Sequence, residues 1–126
     1  MRRVKTIEDL KIPQSHKQFI LGFLERAKQQ PTYENISTFI LFGSCAREDV
    51  KNNSDIDIMV LGDGIGDETL FDMYDCTWWS DMVEEGCGVN CDVLVNTIDF
   101  FNQRVHEPGS LQWRINRDGV LLNELL

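Results

Sequence analysis

The sequence predicts an α/β (α+β) domain built on a single mixed β-sheet with flanking helices. Three observations carry that prediction. Short β-branched and aromatic runs at 36–42, 55–61 and 89–95 are bounded by glycine or polar residues, as strands are. Between them lie stretches with apolar residues at spacings of three and four, as in helices. The two kinds alternate, but the segments are short, so the sheet need not be fully parallel. The 126 residues, 42% hydrophobic and 26% charged, match one globular domain with a single core. The chain reads as one domain over 1–126, with an N-terminal helix at about 14–30, a motif core at 36–96, and C-terminal helices and a last strand at 97–126.

Each element has a local reason. Thr6-Ile7-Glu8-Asp9 resembles a capping box and predicts a short first helical turn. Over 15–30, Phe19, Ile20, Phe23, Leu24 and Ala27 recur at helical spacing; Ser15 with Gln18 is the expected cap, and Pro31 the stop. Residues 36–42 (ISTFILF) predict a buried strand that ends in a tight Gly43-Ser44 turn. After the polar linker Lys51-Asn52-Asn53-Ser54, residues 55–61 (DIDIMVL) predict a second strand, followed by a glycine-rich loop at 62–67. Leu70, Met73, Tyr74, Thr77, Trp78, Met82 and Val83 place a helix over 67–85 that Gly86 and Gly88 end. A third strand is expected at 89–95, helices at 98–105 and 110–116, and a last strand at 120–122. Phe100, Phe101 and Trp113 are expected to pack the C-terminal helices onto the sheet. His16 and His106 lie away from the motifs and read as surface or satisfied residues.

Charge and cysteine usage exclude some function classes. Lys plus Arg total 12 against 21 Asp plus Glu, a net charge of −9. A duplex-binding protein needs a basic stripe, so this balance argues against direct nucleic-acid binding. The start, MRRVKTIEDL, has no apolar run behind it to make a secretory signal. No stretch approaches the ~20 apolar residues of a membrane span. Cys45, Cys76, Cys87 and Cys91 are therefore expected to be reduced thiols in a cytoplasmic protein. Cys87 and Cys91, four apart with no second Cys or His pair near them, do not make a zinc signature.

The chemistry-bearing feature is a carboxylate pair. Strand side chains alternate, so Asp55 and Asp57 share a face, about 7 Å apart at their Cα atoms, while Ile56, Ile58 and Val60 pack on the core. Two like charges so placed repel unless a cation lies between them, and hard cations such as Mg²⁺ prefer carboxylate oxygens. Asp92 is a third candidate if the strand that holds it lies next to the first. The plainer alternative is a solvated strand face. Gly43-Ser44 adds the complementary half: a glycine lets backbone N–H groups approach a phosphate, a following helix adds a positive end, and a serine hydroxyl can donate.

Together these residues resemble a known family. Ten residues separate Gly43-Ser44 from Asp55-Ile56-Asp57, which fits the GS-x10-D-x-D signature of nucleotidyltransferases in the DNA polymerase beta superfamily. Phe42-Gly43-Ser44 with Ala46-Arg47 resembles that family's FGSxARG, Ser54 to Val60 its SDIDLLV, and Cys91 to Val95 the strand that bears its third Asp. Arg114 to Leu122 is similar to the tail of its minimal members. Departures are Cys45, Glu48 (often Gly in the family, and here one more negative charge near the phosphates) and Leu122. The resemblance implies the polymerase beta-like nucleotidyltransferase fold. It implies that Asp55, Asp57 and Asp92 ligate two Mg²⁺ ions and carry catalysis, and that Gly43, Ser44, Arg47 and Ser54 bind the nucleotide, with ATP the family expectation. Arg47 has a second reading, as a brace for the turn through an acid such as Asp49.

The resemblance also bears on the acceptor. The chain is similar to minimal nucleotidyltransferases (MNT) encoded with HEPN-domain toxins, which transfer AMP to a tyrosine of the toxin and silence it. An acidic antitoxin would complement a basic, RNA-binding toxin. Alternatives are a non-catalytic antitoxin subunit of the same fold, or a small-molecule nucleotidyltransferase acting as a homo-oligomer. Trp78 and Trp79 point about 100° apart on a helix, so one is expected in the core; the other, near Tyr74 or Phe71, is read either as loosely packed under the loop at 62–66 or as an exposed anchor for a partner.

Overall fold

The central strands are apolar on both faces, and the fold covers both. The structure, a computed structural model, describes residues 1–83 and 88–126, without the side chains of 79–83. Gly86 as a helix stop, the Cys87 thiol and the Trp79 side chain lie outside the described residues. In chain order the elements are β1 (Arg2–Arg3), a 3-10 turn (Ile7–Asp9), α1 (Gln14–Ala27), a 3-10 turn (Pro31–Asn35), β2 (Ile36–Phe42), β3 (Ile56–Gly62), α2 (Asp67–Val83), β4 (Cys91–Thr97), α3 (Ile98–Arg104), α4 (Leu111–Asp118), β5 (Val120–Leu121) and a final 3-10 turn (Asn123–Leu125). The strands form one sheet in the order β1-β5-β2-β3-β4. It is mixed: β2 runs antiparallel to β3 and β5, whereas β3–β4 and β1–β5 are parallel.

Strand alternation sends two sets of side chains to two helix layers. Phe39, Leu41, Ile56, Ile58, Val60 and Val93 meet Phe19, Ile20, Phe23 and Leu24 of α1 and Met73 and Cys76 of α2. The Phe23 ring stands edge-on to Phe39, 6.2 Å between centroids, the favoured aromatic geometry. On the other face Ile40, Met59 and Leu61 pack against Phe101 of α3 and Ile115 of α4. Thr97 caps α3 by accepting the Phe100 N–H, and Ser110 caps α4 by accepting that of Trp113.

Several boundaries differ from expectation for local reasons. Pro13, not Ser15, precedes α1. The Ser15 hydroxyl turns to the His16 ring instead. The helix ends at Ala27, and Pro31 opens a 3-10 turn, where its missing N–H costs nothing. β3 starts at Ile56, which leaves Asp55 just before it, and β4 starts two residues late, at Cys91. β5 stops at Leu121, although buried Leu122 still donates its N–H to Phe39. Two of the aromatics expected to pack on the sheet do otherwise. Phe100 is exposed beneath the Arg104 guanidinium, and Trp113 is half-buried beneath that of Arg117, 4.9 Å from its centroid. Among the described residues no helix is long and apolar enough to cross a membrane.

Candidate active site

The parallel register of β3 and β4 sets Asp57 beside Asp92. Paired residues on neighbouring strands lie about 4.8 Å apart and share a face. Asp55 joins them from the approach to β3, where the Ile56 N–H donates to Asn90 at 2.8 Å and begins the ladder. The three predicted acids thus gather at one end of two adjacent strands. Asp57 is half-buried, and its carboxyl is pushed above its ordinary value by burial and then by the carboxylates of Asp92 and Asp55; the Arg47 guanidinium pulls the other way.

The acids open in two directions. Asp55 and Asp92 are exposed and line a cleft of about 540 Å³ with Phe19, Tyr74, Thr77, Trp78 and Asn90. Asp57 lies against Gly43, whose φ of +74° is left-handed, and a Cβ there would collide with the Asp57 carboxylate. Only glycine meets both demands. Gly43 also borders a second cleft, of about 410 Å³, rimmed by Arg47, Arg114 and Arg117 with Phe42, Leu111 and Asp118.

The turn after β2 corrects one expectation. No helix follows Gly43-Ser44; residues 43–48 stay in successive turns, held by Arg47 N–H to Gly43, Glu48 N–H to Cys45 and Asp49 N–H to Ser44. Positive charge at this cleft therefore comes from arginines rather than a helix end. Arg47 makes no ion pair with Asp49 among the described residues, so it does not brace the turn that way. Its charge is instead felt by Asp57 and Asp118. Arg114 and Arg117 escaped sequence reasoning as site residues. Their only signal is a spacing of three on α4, which places them on one side of the helix.

Glu48 occupies a left-handed position (φ +58°), which explains why glycine suits it better. Its carboxylate pairs with Arg2 at 2.6 Å, and Glu48 is not among the residues rimming the arginine cleft. Behind the acids, two buried side chains pin the backbone that carries Asp55. His16 Nε2 donates to the Ser54 carbonyl at 2.8 Å, since a carbonyl can only accept; Nδ1 is then left to accept from Ser15. The Cys45 thiol donates to the Asp55 carbonyl at 3.4 Å. Burial, then Asp57 and Asp55, raises that thiol to about 11, so it stays protonated. Ser54 lines neither cleft; its hydroxyl accepts the Lys51 N–H and holds the turn before β3.

In the side-chain conformations present, no three carboxylate, imidazole or thiol groups of the described residues stand close enough to hold a metal ion. The donor set still fits a hard divalent cation: all-oxygen, negative, mutually repelling and incompletely countered by Arg47. Residues 27–125 match the family described as Polymerase beta, Nucleotidyltransferase. The chain belongs to that family. A crystal structure of a candidate nucleotidyltransferase from Sulfolobus solfataricus shares the fold, with a TM-score of 0.50 and 24% identity over 86% of this chain and 81% of that one. No curated protein matches the chain.

Proposed function

We propose that this protein is a Mg²⁺-dependent nucleotidyltransferase of the cytoplasm that moves AMP from ATP to a hydroxyl acceptor, a tyrosine of a HEPN-domain toxin, and so acts as the antitoxin. The observation that carries the transfer is the register pairing of Asp57 with Asp92, with Asp55 beside them and an arginine-rimmed cleft across Gly43. Arg47 and Arg114 offset the triphosphate charge, Arg117 being already paired with Asp118 at 2.8 Å, and Gly43 and Ser44 let it approach the backbone. Asp55, Asp57 and Asp92 would hold two Mg²⁺ ions, which, when bound, neutralise charge on the attacking and leaving oxygens. The acceptor hydroxyl enters the cleft of Asp55 and Asp92, and Asp92 takes up its proton. A bond forms from the acceptor oxygen to the α-phosphorus, the bond to the β-phosphate oxygen breaks, and pyrophosphate leaves toward the arginines.

The acceptor's identity rests on the resemblance to MNT antitoxins and on the acidic charge. The test is transfer of α-labelled AMP from ATP and Mg²⁺ to a co-expressed HEPN-domain partner, with Asp57→Asn as the control. Label on a partner tyrosine that vanishes with Asp57→Asn supports the reading. Neutralisation of the toxin by Asp57→Asn as well as by wild type, with no label moved, sinks it in favour of a non-catalytic antitoxin subunit.

A further inference from the structure

The chain's charge is divided across the fold. Between Lys51 and Arg104 stand twelve Asp and Glu and not one Lys or Arg. That stretch supplies β3, α2, β4 and most of α3, and β3 and β4 close one edge of the sheet. Arg2 and Arg3 belong to β1 at the opposite edge, and Arg114 and Arg117 to α4, which leads into β5. The two clefts beside the carboxylates therefore differ in kind: one is rimmed by arginines, the other by acids and aromatics.

The second cleft continues onto α2. Phe71, Tyr74 and Trp78, spaced three and four, form one stripe and are 67%, 44% and 56% exposed. Met73 and Cys76 turn the other way and are buried, so the stripe lies on the helix face opposite the core. Tyr74 and Trp78 line the cleft with Asp55 and Asp92, and Phe71 carries the stripe one turn beyond it. Glu68 and Asp75, both exposed, flank it.

We propose that this stripe is the docking face for the acceptor and that the acceptor is a cationic polypeptide segment with an apolar anchor; the inference rests on the transfer reading of the carboxylate site. A nucleic-acid acceptor would bring phosphates against Asp55, Asp92, Glu68 and Asp75 with no Lys or Arg of this stretch to meet them. A small molecule would fill the cleft without reaching Phe71, about 5 Å further along the helix. A polypeptide does both. Its lysines or arginines lie over the Tyr74 and Trp78 rings and beside the acids, and an apolar side chain covers Phe71. The charge complementarity sets approach and orientation, and the hydroxyl side chain is delivered to Asp92.

The experiment gives the full-length protein α-labelled ATP and Mg²⁺ with three probes: a random Lys–Tyr copolymer, a random Glu–Tyr copolymer and a single-stranded RNA. ATP affinity is measured alongside by equilibrium binding. The expected result is label in the Lys–Tyr copolymer at least about tenfold faster than in Glu–Tyr, with none in RNA, and a rate that falls as salt rises. The double variant Phe71→Ser/Trp78→Ser should lose about tenfold or more in kcat/KM for the copolymer with ATP affinity unchanged. Asp75→Lys, which keeps the aromatics, should lower transfer to Lys–Tyr and raise it to Glu–Tyr. Undiminished transfer by the double variant, a preference for RNA or Glu–Tyr, or no label in any probe while ATP binds would overturn the docking proposal and leave the transfer site standing. Weakened ATP binding by the double variant would also overturn it, by assigning the aromatics to the nucleotide. Absence of ATP binding by the wild type would remove the transfer reading itself.

Discussion

One strand, β3, runs through both the most settled and the least settled parts of this molecule. Where β2 and β3 lie under α1, Phe39, Leu41, Ile58 and Val60 are all but fully buried among apolar neighbours. At the end where β3 and β4 begin, Asp57 and Asp92 stand side by side with Asp55, and burial raises the cost of keeping Asp57 charged. Only a fold stabilised elsewhere tolerates such a cluster. Stability and chemistry are set in neighbouring stretches of one sheet.

The comparison breaks first, and hardest, in the core. Phe23→Ala removes a fully buried ring that stands against Phe39 and should cost about 3–5 kcal/mol, read by urea unfolding. A loss below about 1 kcal/mol would mean that α1 is not the lid of this core. At the acids the sign should reverse. Asp57→Asn should abolish transfer, yet it removes one of two like charges in register. In metal-free buffer it should gain about 0.5–1 kcal/mol after solvent screening, or about 2–5 °C in Tm. Mg²⁺ should then raise the Tm of the wild type and not that of the variant. A variant less stable than wild type in metal-free buffer would show that the acids are already satisfied.

Between the two stretches lies His16, part of the core yet bonded to the residue before Asp55. His16→Ala leaves the Ser54 carbonyl without its donor and should cost about 1–3 kcal/mol. Transfer should also fall, by about tenfold in kcat with little change in KM for ATP, as Asp55 drifts; His16→Gln, which keeps a donor, should recover part of it. Equal kcat in all three proteins would confine His16 to packing.

How much of this was legible depended on how local each cause is. Residues 36–42 were readable to the residue, because β-branched and aromatic residues run up to the Gly43 turn and the central Phe39, Ile40 and Leu41 are buried on both faces. The start of β4 was misplaced by two, since Val89 is buried and the Asn90 carbonyl already bonds Ile56 before the ladder proper begins. The two-residue β1 has no period to detect, and its pairing with β5 spans nearly the whole chain. Within the site, Asp55, Asp57 and Gly43 announced themselves by spacing. Arg114 and Arg117 did not, because only the return of α4 beside β2 brings them to Gly43. His16 read as a surface or satisfied histidine; it is buried, and its anchoring of Ser54, a contact across 38 residues, left no local signal.

The smallest expected effect concerns the one non-glycine residue with positive φ among those described, Glu48. A left-handed L-residue costs about 1–2 kcal/mol, which Glu48→Gly relieves, though glycine returns part of that as chain entropy. Against this, the variant loses the half-exposed ion pair to Arg2, worth about 0.2–1 kcal/mol. The net gain should be near 0.5 kcal/mol by urea unfolding. The two contributions separate in an Arg2→Ala background, where no ion pair remains to lose and Glu48→Gly should gain about 1 kcal/mol. If the substitution destabilises in both backgrounds, the turn carrying Arg47 depends on the Glu48 side chain beyond Arg2, and transfer should fall with stability. If it stabilises in both, as the backbone angle argues, Arg47 and Gly43 keep their places and transfer is unchanged. The acid at this turn is then a bystander to the arginine cleft a few residues away.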